Sequence, residues 1–344
     1  MIAPLLTPGD VEPVASVLYA VKAVMESSAK PLIYSSDDPD IHRGVLEMAA
    51  ACGAPTGYLI CEVSPTSPLE WKKGPSESLF VVAQARQIVD IIPAPIAGVT
   101  APYTLAGQLT LHNAEVLSGI ALAQMVNPGV PVIYCGAWTT YEMKKMTALI
   151  GRPEAAILRV AGAQMARYYG IPSHAIGPDS DSLMADEQCG WEKMMTLLSG
   201  ILGGNSMLVN SGMSATGMSA CIEQLVIDDE LFAIASRFAA GLSVSEETLA
   251  TDLIKEIGPG GDYLTTEHTV THLRSGEHMQ FDLSIGESYE AWSEAGRRTL
   301  IERAKKKALK LLEEGVSSPL NTEKRMLINS VILDFLKNNP TKGK

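Results

Sequence analysis

The sequence predicts an α/β fold, a (β/α)8 TIM barrel with a C-terminal helical extension. Short β-branched runs that end in turn residues recur along the chain, and amphipathic stretches of roughly ten to twenty residues separate them. An open doubly wound sheet carries a glycine-rich phosphate turn after its first strand. Here the first run leads into Leu5-Leu6-Thr7-Pro8-Gly9-Asp10, which is not GxGxxG.

The strands are expected at Ile2–Leu6, Pro31–Ser35, Gly57–Val63, Ile92–Gly98, Pro131–Gly136, Ile171–Ile176 and Ser206–Asn210, with a weaker eighth near Asp262–Thr265. Helices are expected between them at Val11–Met25, His42–Ala51, Leu79–Ile91, Leu105–Met125, Pro153–Tyr169, Asp186–Gly200 and Ala220–Ala240, where apolar residues recur near a 3.6 period. The chain then becomes charged and helical over Tyr289–Glu314, and a short helix over Lys324–Lys337 follows the turn at Ser318-Pro319. Residues 1–285 therefore read as the catalytic barrel, and residues 286–344 as helices and a frayed tail packing on it.

Composition narrows the function. The 344 residues are 46% apolar, which supplies a large core. The 27 basic and 39 acidic residues give a net charge of −12, the wrong sign for tracking phosphates, so no nucleic-acid partner is expected. The basic cluster Arg303-Ala304-Lys305-Lys306-Lys307 alternates with Leu and Glu and reads as a solvated helix face. No stretch reaches the roughly 18–20 apolar residues of a membrane span, and Met1-Ile2-Ala3-Pro4 does not open a signal peptide, so a cytoplasmic protein without a membrane partner is expected. Cys52, Cys61, Cys135, Cys189 and Cys221 are odd in number and never CxxC, which fits reduced packing cysteines.

A barrel works at the C-terminal ends of its strands. That rule selects the segments around Glu62, Tyr103, Tyr134, Trp138, Asp179, Gln188, Trp191 and Asn210. Aromatic faces at such a mouth attract cations, quaternary ammonium groups above all, although each ring alone is as well explained by packing under a loop. His268 and His272 stand four apart beside Glu267 and could share a helix face, but no HExxH accompanies them. Glu62, Asp179 and His268 would serve a metal-dependent lyase or aldolase. There is no GxSxG, no P-loop and no evident Cys–His pairing. On residues alone the reaction stays open between an enzyme and a non-catalytic binder of quaternary ammonium compounds.

Several segments, in this order and spacing, resemble the trimethylamine methyltransferase family. They are Pro65-Thr66-Ser67-Pro68-Leu69, the run from Ala101 to Gly107, Asn113-Ala114-Glu115-Val116-Leu117 and the run from Asp186 to Glu192. Ile227-Asp228-Asp229-Glu230, the run from Ile257 to Leu264, and His268 with His272 complete the likeness. The resemblance implies a (β/α)8 barrel that moves a methyl group from an amine to the corrinoid of a cognate partner protein, with no bound metal of its own. Family members carry a segment before the barrel, whereas this chain begins almost at the first strand. The trimethylamine enzymes use pyrrolysine, and the matching position falls in Gln188-Cys189-Gly190-Trp191, at Gly190. A quaternary amine such as glycine betaine, which needs no covalent capture, is the implied substrate.

The resemblance implies catalytic roles at Glu115, Gln188 and Gly190, with Glu115 near the amine. Tyr103, Tyr134, Trp191, Glu62 and Asn210 are expected to bind substrate. If that substrate bears a carboxylate, Gln188, His268, His272 and Arg274 are the expected donors. Acidic barrels with apolar outer helices associate, so a homo-oligomer is expected.

Overall fold

The computed structural model describes Ala3 and residues 7–340. After a single 3-10 turn at Pro13–Ala15, the chain alternates as α1 (Ser16–Ser27), β1 (Leu32–Ser35), α2 (Pro39–Cys52), β2 (Leu59–Val63), α3 (Lys73–Gln84), β3 (Ile88–Ile91), α4 (Leu105–Val126) and β4 (Val132–Gly136). A hairpin of β5 (Thr140–Glu142) and β6 (Thr147–Leu149) follows, then α5 (Pro153–Tyr169), β7 (Ser173–Ile176), α6 (Glu187–Leu202) and β8 (Met207–Val209). A second small hairpin, β9 (Met213–Ser214) with β10 (Ser219–Ala220), leads into α7 (Ile222–Ala240).

Six strands pair in parallel in the order β1-β2-β3-β4-β7-β8, with a helix crossing between successive members. This sequential parallel order is that of an α/β barrel wall. The helices start where the sequence can satisfy free N–H groups. Asp38 accepts from the Asp40 N–H ahead of α2, Thr104 from Gly107 ahead of α4, and Asp186 from Cys189 ahead of α6. Helices α2 and α5 stop at Gly53 and Gly170, which hold the left-handed φ that other residues resist.

Strand parity divides the side chains into two layers. Leu32, Tyr34, Leu59, Cys61, Val63, Val89, Ile91 and Tyr134 face outward and join one cluster with buried residues of α1 through α5. Ile33, Ile60 and Ile133 face inward and pack with Ile88, Met207 and Val209 as an apolar plug. The next inward positions along the strands are Ser35, Glu62, Asp90, Cys135 and His174. The interior is thus apolar below and ionisable above.

The chain continues through α8 (Glu246–Leu249), α9 (Thr251–Ile257), α10 (Glu267–His272) and α11 (Tyr289–Glu294), none of which buries a residue. Helix α12 (Leu300–Glu314) packs on α7 through buried Ala304 and Ala308, and α13 (Thr322–Asn338) returns to α2 and α1. Ile328, Ile332 and Phe335 of α13 enter the main cluster. Glu230 of α7 accepts from the backbone N–H groups of Asp282, Leu283 and Ser284, and from the Ser284 hydroxyl, which straps that segment to the helix.

Three expectations change. Ile2–Leu6 lies, apart from Ala3, outside the described residues, as do Thr341–Lys344 of the tail. The strand expected at Ile92–Gly98 sits earlier, at Ile88–Ile91, and helix α3 ends at Gln84. Arg86 takes a φ of 54° that interrupts the helix, and Pro93 and Pro95 lack the N–H that an interior strand must donate. Asp262–Thr265 is exposed turn rather than strand, because nothing packs over its short apolar content. Among the described residues, no helix is long and apolar enough to cross a membrane.

Candidate active site in the barrel interior

The interior group begins at β2, where Glu62 keeps 16% of its side chain exposed. Beside it Asp90 of β3 and His174 of β7 are fully buried, with Asp90 Oδ2 2.5 Å from His174 Nδ1. Glu62 Oε1 lies 4.0 Å from the same nitrogen. Cys135 of β4 is the inward neighbour between them, and one ligand-capable atom each of Asp90, Cys135 and His174 lie within 4.8 Å of one another. Four consecutive strands of the sheet therefore deliver four ionisable side chains to one place.

Their charges follow from that placement. Burial pushes the Glu62 carboxyl up to about 7, His174 opposes the rise and Asp90 adds to it. Burial pulls the His174 imidazole down, but the charges of Asp90 and Glu62 outweigh it and hold the ring above its ordinary value. Burial, then Asp90 and Glu62, push the Cys135 thiol well up. Two carboxyl groups, Glu62 and Asp90, therefore share a single imidazole. Asp90 Oδ1 and His174 Nε2 are buried with no hydrogen-bond partner among the described residues.

A second network closes the exits of β7 and β8. Arg159 of α5 donates to Asp179 Oδ2 at 2.6 Å, and Asn210 Nδ2 donates to Asp179 Oδ1 at 3.0 Å. Asp179 is therefore committed to an ion pair, not offered with Glu62 and His268 as a metal ligand. Lys193 of α6 donates to Asp228 of α7 at 2.8 Å, which fixes the helices behind the loop. Gln188 Nε2 donates to Glu192 Oε1 at 3.0 Å, and Glu192 accepts from the Ser180 hydroxyl and the Asp181 N–H.

The structure distributes the residues expected at the site unevenly. Glu62 is in the interior group. Tyr103 and Trp191 stand on loops and helix starts after β3 and β7, each 63% exposed, and Gly190 opens onto free space with nothing within 4 Å of where a Cβ would be. Asn210 follows β8 with its amide on Asp179. Glu115 lies buried on α4, where it accepts from the Ser67 hydroxyl and the Leu69 N–H at 2.9 Å and so anchors the loop leaving β2.

Tyr134 is misplaced by the expectation. Parity turns Cys135 inward and Tyr134 outward, where its hydroxyl donates to Asn113 Oδ1 at 3.1 Å and its ring lies 6.5 Å from that of Tyr169. His268 and His272 do share a face of α10, with ring centroids 4.3 Å apart. No described hydrogen bond or ion pair joins them, or exposed Arg274, to the interior group.

The residues missed are Asp90, Cys135 in this role, and His174. A signal was present: Asp90 stands in Ile88-Val89-Asp90-Ile91 and His174 in Ser173-His174-Ala175-Ile176, ionisable groups in the middle of short apolar strands. Parallel strands are buried on both faces, so such residues are placed inside at a desolvation cost.

Comparison with known proteins identifies relatives along nearly the whole chain. A family model described as trimethylamine methyltransferase matches residues 2–337. The trimethylamine methyltransferase MttB of Desulfitobacterium hafniense is 31% identical over 333 residues, which are 95% of this chain and 67% of that protein. MttB of Methanosarcina barkeri is 36% identical over 266 residues, 77% of this chain and 52% of that protein. The glycine betaine methyltransferase of Desulfitobacterium hafniense is 38% identical over 237 residues, 68% of this chain and 49% of that protein. The chain thus spans about half to two thirds of the length of these curated relatives. Among solved structures, the monomethylamine methyltransferase of Methanosarcina barkeri aligns over 95% of this chain and 62% of that one, with a TM-score of 0.47 and 10% identity.

Proposed function

The chain belongs to the trimethylamine methyltransferase family, and from that premise we propose that it takes a methyl group from a quaternary amine of the glycine betaine class and delivers it to the corrinoid of a partner protein. The observation that carries the reading is the placement of two carboxyl groups around a single imidazole inside the barrel. Glu62 and Asp90 face a single His174, and Glu62 is the one of them in contact with solvent. A permanent cation entering the mouth favours the ionised form of Glu62, whose proton leaves to solvent.

The chemistry fits. In a quaternary amine the leaving group is already a neutral amine. The C–N bond breaks with its electron pair staying on nitrogen, while the electron pair of Co(I) forms the new bond to carbon, and no proton moves. The chain's own residues then need to bind, orient and shield. Trp191 and Tyr103 on the rim would each add roughly 0.5–2 kcal/mol as cation–π partners. Gly190 offers open space where a pyrrolysine enzyme needs an electrophilic side chain, which supports a substrate that needs no capture. Glu115 acts through the loop it anchors. In this reading the barrel that runs to residue 285 is catalytic, the helices among residues 286–340 brace it, and the enzyme works in the cytoplasm beside its reduced corrinoid partner.

The test is anaerobic spectroscopy with Co(I) corrinoid, free or on a partner protein, and glycine betaine, proline betaine, carnitine, choline or trimethylamine. Loss of the Co(I) absorption with one quaternary amine is expected. Silence across the panel while a full-length relative is active, or transfer from trimethylamine alone, contradicts the reading.

A further inference from the structure

We propose that Asp90, Cys135 and His174 form a three-ligand binding site for a divalent transition-metal ion of the zinc or cobalt(II) class inside the barrel. The three residues come from adjacent strands, are fully buried, and already place one donor atom each within 4.8 Å of the others. Tetrahedral coordination, with bonds of about 2.0–2.3 Å to nitrogen, oxygen and sulfur, sets such donors roughly 3.4–3.7 Å apart.

Two features outside the ligand spacing point the same way. Asp90 Oδ1 and His174 Nε2 are buried without a partner, and a carboxylate or imidazole stripped of water and left half-satisfied is costly. The donor set also has a chemical preference: imidazole, thiolate and one carboxylate suit zinc and cobalt(II), whereas magnesium and calcium take oxygen throughout. Three protein ligands leave a fourth position, the pattern of a working rather than a structural site. Glu62 borders it, 4.0 Å from His174 Nδ1.

Charge and protons balance. The ion displaces the thiol proton of Cys135 and the proton between His174 and Asp90, and both protons go to solvent. Two positive charges enter as two protons leave, so the net charge of the interior is unchanged. The inference therefore stands or falls apart from methyl transfer.

The experiment uses the full chain carrying Cys221→Ser, which removes the exposed thiol. Metal content is measured as purified, and cobalt(II) is then titrated into chelator-stripped protein. We expect one cobalt per chain with a thiolate-to-cobalt charge-transfer band in the near ultraviolet. Cys135→Ser is expected to abolish the band, and His174→Ala to abolish binding, in proteins whose melting shows they are folded. Cys189→Ser should leave band and stoichiometry unchanged. Folded parent protein that takes up no cobalt, or a band that survives Cys135→Ser, overturns the assignment.

Discussion

His174 and the pair His268–His272 carry the same ring and meet opposite surroundings. His174 comes from a short strand, is fully buried, and is held by an aspartate 84 residues away in sequence. His268 and His272 come from a six-residue helix that buries nothing, and each ring's described neighbour is the other. The strand histidine is constrained by the sheet register on both sides, so its charge and direction are set by the fold. The helix histidines are set by one turn of backbone and by each other, with His268 Nε2 buried and unpartnered among the described residues. A scaffold gives chemical identity to a residue when several elements fix it at once.

The largest effect should come from breaking the buried pair. Asp90→Ala strips the buried His174 ring of its hydrogen-bond partner and leaves only Glu62, 4.0 Å away, and unfolding in urea should show a loss of about 3–5 kcal/mol. An Asp90→Ala protein as stable as the parent would mean that the pair does not organise the interior.

Packing around the same half of the barrel sharpens the contrast. A Cβ on Gly162 of α5 would meet the Trp138 ring at 2.0 Å, so Gly162→Ala should cost about 1–3 kcal/mol in the same experiment. The Trp138 ring packs 4.2 Å from that of His112 and cannot move without disturbing α4.

On the other side of the molecule, Glu230 supplies a pH test. Burial raises its carboxyl, but hydrogen bonds from Ser284, Leu283 and Asp282 outweigh that and hold it below the ordinary glutamate value. A depressed carboxyl stabilises above its unfolded pKa, and that contribution is lost as pH falls through the folded value. The protection factors of the Leu283 and Ser284 amides against hydrogen exchange, which remove the intrinsic pH dependence of the rate, should therefore fall in acid and stay high at neutral pH. In Glu230→Gln protection should be lower at neutral pH and lose that acid dependence.

The smallest effect belongs to the helix histidines. His268→Ala with His272→Ala should change stability by no more than about 0.5 kcal/mol and leave interior metal binding intact. A larger change would show that α10 is tied to the barrel.

How legible each region was follows from the range of its determinants. Helices α4, α5, α6 and α7 were readable because a 3.6 period is a local pattern, and their observed bounds differ by a few residues from the expected ones. Strand β3 was hidden inside an apolar run that looked like the end of a helix, until the left-handed Arg86 breaks it. Tyr134 was assigned to the mouth because a strand's parity is invisible until a register fixes it; the structure gives that position to Cys135. Asp90 and His174 meet only because β3, β4 and β7 are neighbours in the sheet, which no local pattern encodes. Conversely, the i, i+4 histidines drew attention because their spacing is local, and locality alone did not bring them to the interior.

The central claim is that the interior carboxylates hold a quaternary ammonium group, and calorimetric titration at about pH 8, where Glu62 is ionised, tests it most directly. A preferred quaternary amine should bind the parent protein, and Glu62→Gln should weaken it by about 2 kcal/mol, some thirtyfold, with the fold unchanged. Equal affinity in parent and Glu62→Gln would contradict the account.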